Sequence, residues 1–309
     1  MRAPTVSIGL PVYNGERFLR FAIDSILAQD FDDFELIISD NASGDRTQAI
    51  CRERAETDSR IRYMRLERNI GAVPNFQRVF KESRGRYFKW AAHDDVCMPG
   101  FLGGCVSVLD AAPESVVLVY PRAQRIDEKG YPIELDHESL CSEHARPHRR
   151  AAHVLSNVNI GWAQFGLMRS EALRRTGLHG SFIGSDYVLL AELAMLGKLK
   201  EIPEVLFQSR VHPGTSNVVH QDTDEWVSWL DASLAGRAST LPPFVVIGWE
   251  CTKAIQRLPL RSVDKVLCHL MVPSIWLVRN FRRIAGQYRR SLLRSCRFTS
   301  EAVPTGRVQ

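Results

Sequence analysis

Two adjacent carboxylates, Asp94 and Asp95, follow an apolar stretch and precede a proline in KWAAHDDVCMPGFL, residues 89–102. Like charges side by side repel each other, so a buried pair needs a cation or strong hydrogen-bond donors. A solvated turn is the alternative, because Asp favours helix starts and Pro99 suits a first helical turn. The local sequence alone leaves both interpretations open.

Polar side chains also follow three other predicted strands, each of them short and apolar. The four polar strand ends are residues 11–14, 40–41, 68–71 and 93–95. In a parallel sheet, ligands bind at the carboxyl ends of the strands, so we expect these four turns to converge on one edge and form a site.

Carboxylates at strand ends suit a hard divalent cation, Mg²⁺ or Mn²⁺, that holds a diphosphate. Such a metal would screen and orient a leaving group as a Lewis acid. The first strand is followed by neither GxGxxG nor GxxxxGK, and the chain contains no GxSxG. These absences argue against a dinucleotide dehydrogenase, a P-loop enzyme and a hydrolase with the common nucleophile elbow.

The elements that must position these residues follow from hydrophobic spacing, which alternates between strands and helices at least four times. We expect strands at residues 5–10, 34–40, 61–67, 86–93 and 115–121, and helices at 16–29, 45–56, 72–85 and 98–112. The first strand should stop at Pro11 and the third helix at Gly85, a C-terminal cap. This alternation predicts a parallel sheet with helices on both faces.

After Pro121 the alternation weakens, and the sequence predicts a loop or a small antiparallel excursion. A helix is expected over Tyr187 to Leu196 and a strand over Val205 to Arg210. We place a domain boundary near Val218, which divides the chain into a catalytic domain, 1–217, and a helical basic extension, 218–309.

The composition is that of a soluble globular protein, with 309 residues, 45% of them apolar and 24% charged. Seven widely spaced cysteines without a CxxC pair argue against a disulfide scaffold and a zinc cluster, and indicate a reducing compartment. We therefore expect a cytoplasmic protein.

The net charge of +5 is unevenly distributed. Residues 251–309 contain 12 Lys or Arg and two acids, so this part carries +10 and the first 250 residues carry −5. Residues 279–297 combine seven Arg with bulky apolar side chains, a pattern that suits an anionic membrane surface on the inner membrane face. A solvated helix packed on the body is the alternative. No recognised nucleic-acid-binding module accompanies the charge, so we expect no nucleic-acid partner.

The ordered segments SIGLPVYNGERFLRFAIDSILAQDFDDFELIISDNASGDRT, RNIGAVPNFQ, HDDVCMPGFL and GSDYVLLAELAMLGKLKEIPEVLFQSRVHPGTS resemble the family 2 glycosyltransferases of the GT-A fold. The resemblance spans roughly residues 5–217, in the order of the family. It implies an α/β fold, a GT-A Rossmann-like sheet with a helical C-terminal extension. It also implies an inverting transfer from a nucleotide-sugar donor to a hydroxyl of a glycan or lipid-linked acceptor in glycolipid, cell-wall or polysaccharide biosynthesis.

The resemblance assigns a nucleotide-binding role to six residues: Pro11, Val12, Tyr13, Asp40, Asn69 and Gly71. Tyr13 would stack on the base, and Asp40 would accept a hydrogen bond from it. A structural role is the alternative for three of these residues. Tyr13 could be an ordinary aromatic residue at a strand end, Asp40 a helix cap and Gly71 a residue of a tight turn.

Asp94 matches the metal-contacting carboxylate of the family's DxD motif, with Ala92 in place of the first carboxylate and His93 between. A branch of the family carries this HDD form. The number of metal ligands is therefore left open. His93 and Asp95 are assigned to the side of the sugar or the acceptor.

Asp186 matches the catalytic base of the family, which takes the proton of the acceptor hydroxyl. A helix cap is its structural alternative. His212 lies where the family often has a loop histidine that ligates the metal or touches the diphosphate, although a surface histidine would fit equally. Arg210 could offset phosphate charge. A competing hypothesis is a non-catalytic sugar-nucleotide-binding protein of the same fold, which would not need Asp186.

Overall fold

The computed structural model describes residues 2–215, 223–236 and 241–300, with side chains as far as Arg282 except those of residues 223–224. Its strands are β1 Val6–Val12, β2 Phe34–Asp40, β3 Ile61–Arg65, β4 Tyr87–Trp90, β5 Val96–Cys97, β6 Val116–Ile126, β7 Pro132–Leu135, β8 Leu167–Arg169 and β9 Lys198–Arg210. Its α-helices are α1 Leu19–Leu27, α2 Thr47–Thr57, α3 Ala72–Lys81, α4 Phe101–Ala111, α5 Pro147–Asn157, α6 Ser170–Arg174, α7 Ser185–Leu196, α8 Thr223–Leu230, α9 Pro243–Arg257 and α10 Ser262–Ser300.

The strands form one mixed sheet in the order β3-β2-β1-β4-β8-β6-β9-β5, and β7 pairs with β6. Strands β1 to β4 are parallel, as predicted, and β6 pairs in parallel with β9. The short strands β5, β7 and β8 pair antiparallel. Every residue of β1 and β2 is buried, because helices cover both faces of this part of the sheet.

Strand β1 continues through Pro11, where the sequence predicted its end. The carbonyl of Gly9 accepts from Ala91 on the β4 side, and alternate residues of a strand turn their backbone groups to the same neighbour. Pro11 therefore faces the β4 side, beyond the last paired residues, Gly9 and Trp90. No ladder hydrogen bond is lost there, so the proline is tolerated.

Gly85 does not end α3, which stops at Lys81. A Cβ atom at Gly85 would lie 2.5 Å from the backbone nitrogen of Ser7. The glycine is therefore needed for the close approach of two backbone segments, and the prediction that it caps a helix is wrong.

The region after Pro121 contains the predicted antiparallel excursion, β7, but also a helix that the sequence pattern did not reveal, α5. The buried side of α5 carries His148 and Arg150, which interrupt its apolar pattern. Arg150 donates to the carbonyls of Ala194 and Met195 at the end of α7, at 2.7 and 3.0 Å. A buried cation thus satisfies helix-terminal carbonyls there.

Helices α9 and α10 pack against each other and against α5 and α7. Their buried side chains, among them Ile247, Cys251 and Trp276, continue the core of the sheet domain. The predicted boundary near Val218 falls outside the described residues, so the division at residue 217 stays a prediction. In the described part of the chain, we found no helix with the length and apolar character needed to cross a membrane.

Candidate active site

The four polar strand ends converge on one edge of the sheet, as predicted. Asn41, after β2, donates through Nδ2 to Asn69 Oδ1 at 2.9 Å and to the carbonyl of Gly71 at 3.0 Å. Asn14, after β1, accepts from the backbone of Gly44 at 2.9 Å. Side-chain amides therefore join neighbouring strand ends into one surface.

Asp40 lies at the end of β2 with a fully buried side chain. Its carboxylate accepts from the backbone of Ser43 at 2.8 Å and from the hydroxyl of Tyr63 at 2.9 Å. Arg65 Nε lies 3.3 Å away in an ion pair. Burial and the carboxylate of Asp40 both raise the pKa of Tyr63. The base-binding role of Asp40 stays a prediction, and Tyr63 and Arg65 are partners that sequence motifs did not indicate.

Of the three predicted base-lining residues in β1 and the turn after it, only Tyr13 reaches the surface, with 43% of its area exposed. Pro11 and Val12 are buried in the sheet. A base that lies against this strand end would therefore contact Tyr13 and backbone atoms. The stacking role assigned to Tyr13 is compatible with its position and stays a prediction.

Gly71 begins α3 with a φ of +93°, which favours glycine. A Cβ atom there would lie 2.6 Å from the Cα of Asp231. Asp231 in turn accepts from the hydroxyl of Ser181 at 2.8 Å. The segment after α8 therefore lies over the predicted nucleotide wall at Asn69 and Gly71, and connects it to the loop before α7.

Asp94 and His212 form a hydrogen-bonded pair, with His212 Nε2 3.0 Å from Asp94 Oδ2. The Nδ1 atom of the same ring accepts from the backbone of Gly214 at 3.1 Å, so the proton lies on Nε2, which donates to the carboxylate. Burial raises the pKa of Asp94, but His93 and the hydrogen bond from His212 outweigh it, and the pKa lies below its usual value. The two residues that the resemblance assigns to the metal therefore meet, although they lie 118 positions apart; their role towards a metal stays a prediction.

His93 lies beside the turn after β1, where a Cβ atom at Gly15 would lie 2.8 Å from its ring. Its assignment to the side of the sugar or the acceptor stays a prediction. In the structure it neighbours this turn and the carboxylate of Asp94, whose pKa it lowers.

Asp95 turns inward, with only 8% of its area exposed. Its Oδ1 atom accepts from the backbone of Arg210 at 2.9 Å. Burial and the neighbouring Asp94 carboxylate raise the pKa of Asp95 to about 8, although the donors at Arg210 and Ser209 and the charge of the buried Lys89 oppose this. Contact of Asp95 with the sugar or the acceptor therefore stays a prediction. Because the side chain is buried, this contact would require the turn to rearrange.

The guanidinium of Arg210 donates to three backbone carbonyls, those of Asp94, Asp127 and Glu128, at 3.0, 3.1 and 3.2 Å. It also lies over the ring of Phe18, 4.9 Å from its centre. Only 6% of the residue is exposed. Arg210 thus fixes the turn that carries Asp94. This arrangement leaves little of its side chain exposed for contact with a phosphate.

Asp186 lies in the first turn of α7. Burial, together with the charge of Glu138, raises its pKa to about 6, while backbone N–H groups of the helix start oppose the shift. A Cβ atom at Gly161 would lie 3.5 Å from Asp186 Oδ2. The carboxylate is therefore a stronger base than an ordinary aspartate and lies beside a glycine with a φ of +81°.

Glu138 organises the loop beside Asp186. Its carboxylate accepts from three successive backbone N–H groups, those of Asn159, Ile160 and Gly161. The hydroxyl of Tyr187 donates to the carbonyl of Asn159 at 2.6 Å. Sequence reasoning missed Glu138, because a charged residue in a predicted loop carries no signal of this contact.

The described residues contain no group of three or more His, Cys, Asp or Glu side chains that could hold a metal ion. Asp94 is the carboxylate at the predicted metal position; its side chain is 14% exposed, and His212 Nε2 donates to it. Mg²⁺ commonly uses one or two carboxylates, with phosphates and waters as the remaining ligands. A cation here would therefore depend on Asp94 and a bound diphosphate, and the metal-binding roles of Asp94 and His212 stay predictions.

A family model described as glycosyl transferase family 2 matches residues 7–177. An uncharacterised glycosyltransferase of Rickettsia prowazekii is 28% identical over 234 residues, which cover 72% of this chain and 70% of that protein. The putative glycosyltransferase EpsH of Bacillus subtilis is 27% identical over 214 residues, 69% of this chain and 57% of that protein.

Two solved structures share the architecture. S. aureus TarS 1–349 in complex with UDP-GlcNAc superposes with a TM-score of 0.65 at 14% identity, over 90% of this chain and 73% of that chain. The mannosyltransferase PcManGT from Pyrobaculum calidifontis, in complex with GDP-Man and Mn²⁺, superposes with a TM-score of 0.51 at 16% identity, over 91% and 87% of the two chains. At such identities the likeness shows the fold, and it confirms the predicted GT-A architecture.

Proposed function

This chain belongs to glycosyl transferase family 2 and is a glycosyltransferase, and we propose that it transfers a sugar from a nucleotide-diphosphate donor to an acceptor hydroxyl with inversion. The observation that carries the inverting mechanism is the position of Asp186, at the start of α7 with a pKa raised to about 6. A purely sugar-nucleotide-binding protein would not need a carboxylate tuned in this way.

In the proposed reaction, Asp186 accepts the proton of the acceptor hydroxyl while the hydroxyl oxygen attacks the anomeric carbon of the donor. The bond from this carbon to the diphosphate breaks, and the nucleoside diphosphate leaves. The wall formed by Glu138 and the loop at residues 159–161 holds the surroundings of Asp186 in place. Preorganisation of this kind lowers the barrier because little rearrangement is needed in the transition state.

The nucleotide would lie along the strand ends of β1 to β3. Tyr13 is exposed there for stacking, and Asp40 is held by Tyr63 and Arg65. Complexes of the two structural relatives contain UDP-GlcNAc and GDP-Man, so uridine and guanosine diphosphate sugars are the first donors to test.

Asp94 would hold Mg²⁺ or Mn²⁺, with His212 orienting its carboxylate. When bound, the cation would screen the charge that develops on the leaving diphosphate. The turn that carries Asp94 is fixed from behind by Asp95 and Arg210. Together these contacts keep the carboxylate of Asp94 in a defined position.

The acceptor class we propose is a glycan or a lipid-linked precursor of cell-envelope glycolipid, cell wall or polysaccharide, used at the cytoplasmic face of the membrane. The sequence supports this through its basic C-terminal part, which carries a charge of +10 over residues 251–309.

A donor screen tests the proposal. The full chain is incubated with uridine and guanosine diphosphate sugars in the presence of Mn²⁺, and release of nucleoside diphosphate is measured with and without acceptor extracts. We expect one donor class to be turned over by the parent and hardly at all by Asp186→Asn. Equal turnover by parent and variant would contradict the role of Asp186, and turnover of no donor by a folded parent would contradict the proposed activity.

A further inference from the structure

Helix α10 is apolar on two opposite sides. Its inner side packs on the body of the protein through Cys268, Val272 and Trp276, which are buried. Its opposite side carries five apolar residues that are between 41% and 69% exposed, and that we call the outer face: Val263, Val266, Leu270, Leu277 and Phe281. Spacings of three, four and seven residues place them on one stripe of the helix.

The outer face continues onto α9. Trp249 is 60% exposed, and a Cβ atom at the adjacent Gly248 would lie 3.7 Å from Leu277 Cδ2. A large, contiguous apolar surface of this kind is uncommon on a soluble monomer and marks a contact with another apolar phase or partner. The two helices therefore meet where Gly248 approaches Leu277, one residue along the chain from the exposed Trp249.

Cations accompany this surface. In the sequence of α9 and α10 from residue 243 to 282, the basic residues are Lys253, Arg257, Arg261, Lys265, Arg279 and Arg282, and the acids are Glu250 and Asp264. Lys253 pairs with Glu250 and Arg257 with the buried Glu192, whereas Arg261 and Arg282 are exposed. Asp264 is buried and pairs with Arg146 at 3.5 Å. The sequence adds five more Arg, and no acid, up to residue 297.

The positive charge near this surface indicates what kind of partner it binds. Apolar side chains accompanied by Lys and Arg are complementary to a bilayer that contains anionic headgroups. A second copy of the chain would bring the same cations close to one another, and like charges across an interface oppose association. An anionic lipid surface is therefore favoured over self-association.

The inner side of α10 contacts the catalytic region. The ring of Trp276 lies 5.7 Å from that of Tyr187, the residue after Asp186. Arg279 donates to the carbonyl of Leu155 at 2.6 Å and to Asn159 Oδ1 at 2.8 Å, in the loop held by Glu138. One helix, about 10 Å across with its side chains, thus separates the outer face from the segment that bears Asp186.

We propose that the outer face of α10, together with Trp249, inserts into the headgroup region of an anionic bilayer and holds the Asp186 end of the site at the membrane. The exposed Arg261 and Arg282 contact lipid phosphates. This arrangement deepens the proposed function, because it specifies an acceptor that is itself lipid-linked. The choice of a lipid-linked acceptor rests on the proposed glycosyl transfer. The proposed binding to lipid rests only on the exposed residues of this surface.

Co-sedimentation of the full chain with vesicles tests the binding. Phosphatidylcholine vesicles are compared with vesicles that also contain phosphatidylglycerol, at low and high salt. We expect the parent to pellet with the anionic vesicles and salt to weaken this binding, since the attraction between charges is screened. The double variant Leu270→Ser, Phe281→Ser should partition at least about tenfold more weakly, because two large apolar side chains no longer leave water.

A matched control replaces two exposed apolar residues elsewhere, Phe21→Ser on α1 and Ile133→Ser on β7. It should bind anionic vesicles like the parent, and melting temperatures should show that both variants fold. Equal binding by the parent and the α10 variant, equal loss in the control, or equal pelleting with and without phosphatidylglycerol would overturn the proposal. So would a parent dimer that the α10 variant converts to a monomer, in the absence of any vesicle binding.

Donor hydrolysis is measured in parallel without vesicles. The α10 variant should hydrolyse donor at the parent rate, because its changes lie on the side of α10 away from Tyr187. A parent that binds vesicles but hydrolyses no donor would contradict the proposed function and leave the lipid contact supported. Hydrolysis without vesicle binding would contradict the lipid contact alone.

Discussion

His212 donates from Nε2 to Asp94 Oδ2 across 3.0 Å while its Nδ1 accepts from the backbone of Gly214. This pair joins the end of β9 to the turn after β4, and it fixes the carboxylate of Asp94, whose side chain is 14% exposed. The HDD motif thus pairs a partly exposed Asp94 with a buried Asp95.

If His212 orients Asp94, His212→Gln should retain most of the Mn²⁺-dependent affinity, since the amide nitrogen can donate to the carboxylate. His212→Ala should lower that affinity about 10–100-fold, the usual cost of losing a residue that orients a metal ligand. Calorimetry with nucleoside diphosphate, with and without Mn²⁺, measures both. Equal losses in the Gln and Ala variants would indicate that the imidazole itself ligates the metal.

Asp94→Ala should abolish the Mn²⁺-dependent part of nucleoside diphosphate binding, because it removes the partly exposed carboxylate that we assign to the metal. The metal-independent part should remain, since the strand-end contacts of the nucleotide are untouched. The same titrations give the answer, with the exposed Glu67→Ala as a control. Unchanged Mn²⁺-dependent affinity in Asp94→Ala would show that the metal assignment is wrong.

Asp95→Asn should leave donor turnover nearly unchanged, because the amide oxygen can still accept from Arg210. It should be the more stable protein at neutral pH, because burial and Asp94 raise the pKa of Asp95 to about 8 and the parent therefore loses stability as the pH rises above the unfolded pKa of this group. Asp95→Ala should destabilise the protein by about 1–3 kcal/mol, the cost of an unsatisfied buried donor. Urea denaturation measures the free energy of unfolding. Strongly reduced turnover with normal stability in the Asn variant would instead support a direct role of Asp95 towards the sugar or the acceptor.

Asp186→Asn should lower turnover about 10²–10⁴-fold while nucleotide affinity stays close to that of the parent, because proton abstraction contributes only in the transition state. Its folded-state pKa of about 6 lies above the unfolded value of 3.8. The ionised carboxylate therefore lowers stability, and this cost appears as the pH rises from below 4 through 6. At pH 8 the Asn variant should be the more stable protein, by up to about 3 kcal/mol. A lower melting temperature at pH 8 would favour a helix-capping role.

Glu138→Gln should move the acidic limb of the kcat/KM profile to lower pH. In the parent the rate should rise as Asp186 loses its proton near pH 6, and the negative charge of Glu138 contributes to that raised pKa. The groups that face Asp186 are Glu138 and the backbone N–H groups at the start of α7. The exposed Glu134→Gln serves as a control. An unchanged inflection in Glu138→Gln would show that burial alone sets the pKa of Asp186.

The sequence by itself determined the parallel half of the sheet and its edge, because strands buried on both faces are continuous apolar runs and the polar residues that follow them are conspicuous. It also singled out Asp94, Asp186 and His212 through the ordered likeness to a family. These signals are local or lie in the order of motifs along the chain, so one sequence is enough to find them.

Only the tertiary structure decided which way each polar group points. Asp94 and Asp95 are chemically identical neighbours, and the backbone of Arg210, 115 positions away, turns one of them inward. Glu138 and the outer face of α10 also carry no local signal, because their meaning depends on which surfaces the rest of the chain covers. Side-chain direction and exposure are set by packing between distant segments, and hydrophobic spacing within one segment does not contain that information.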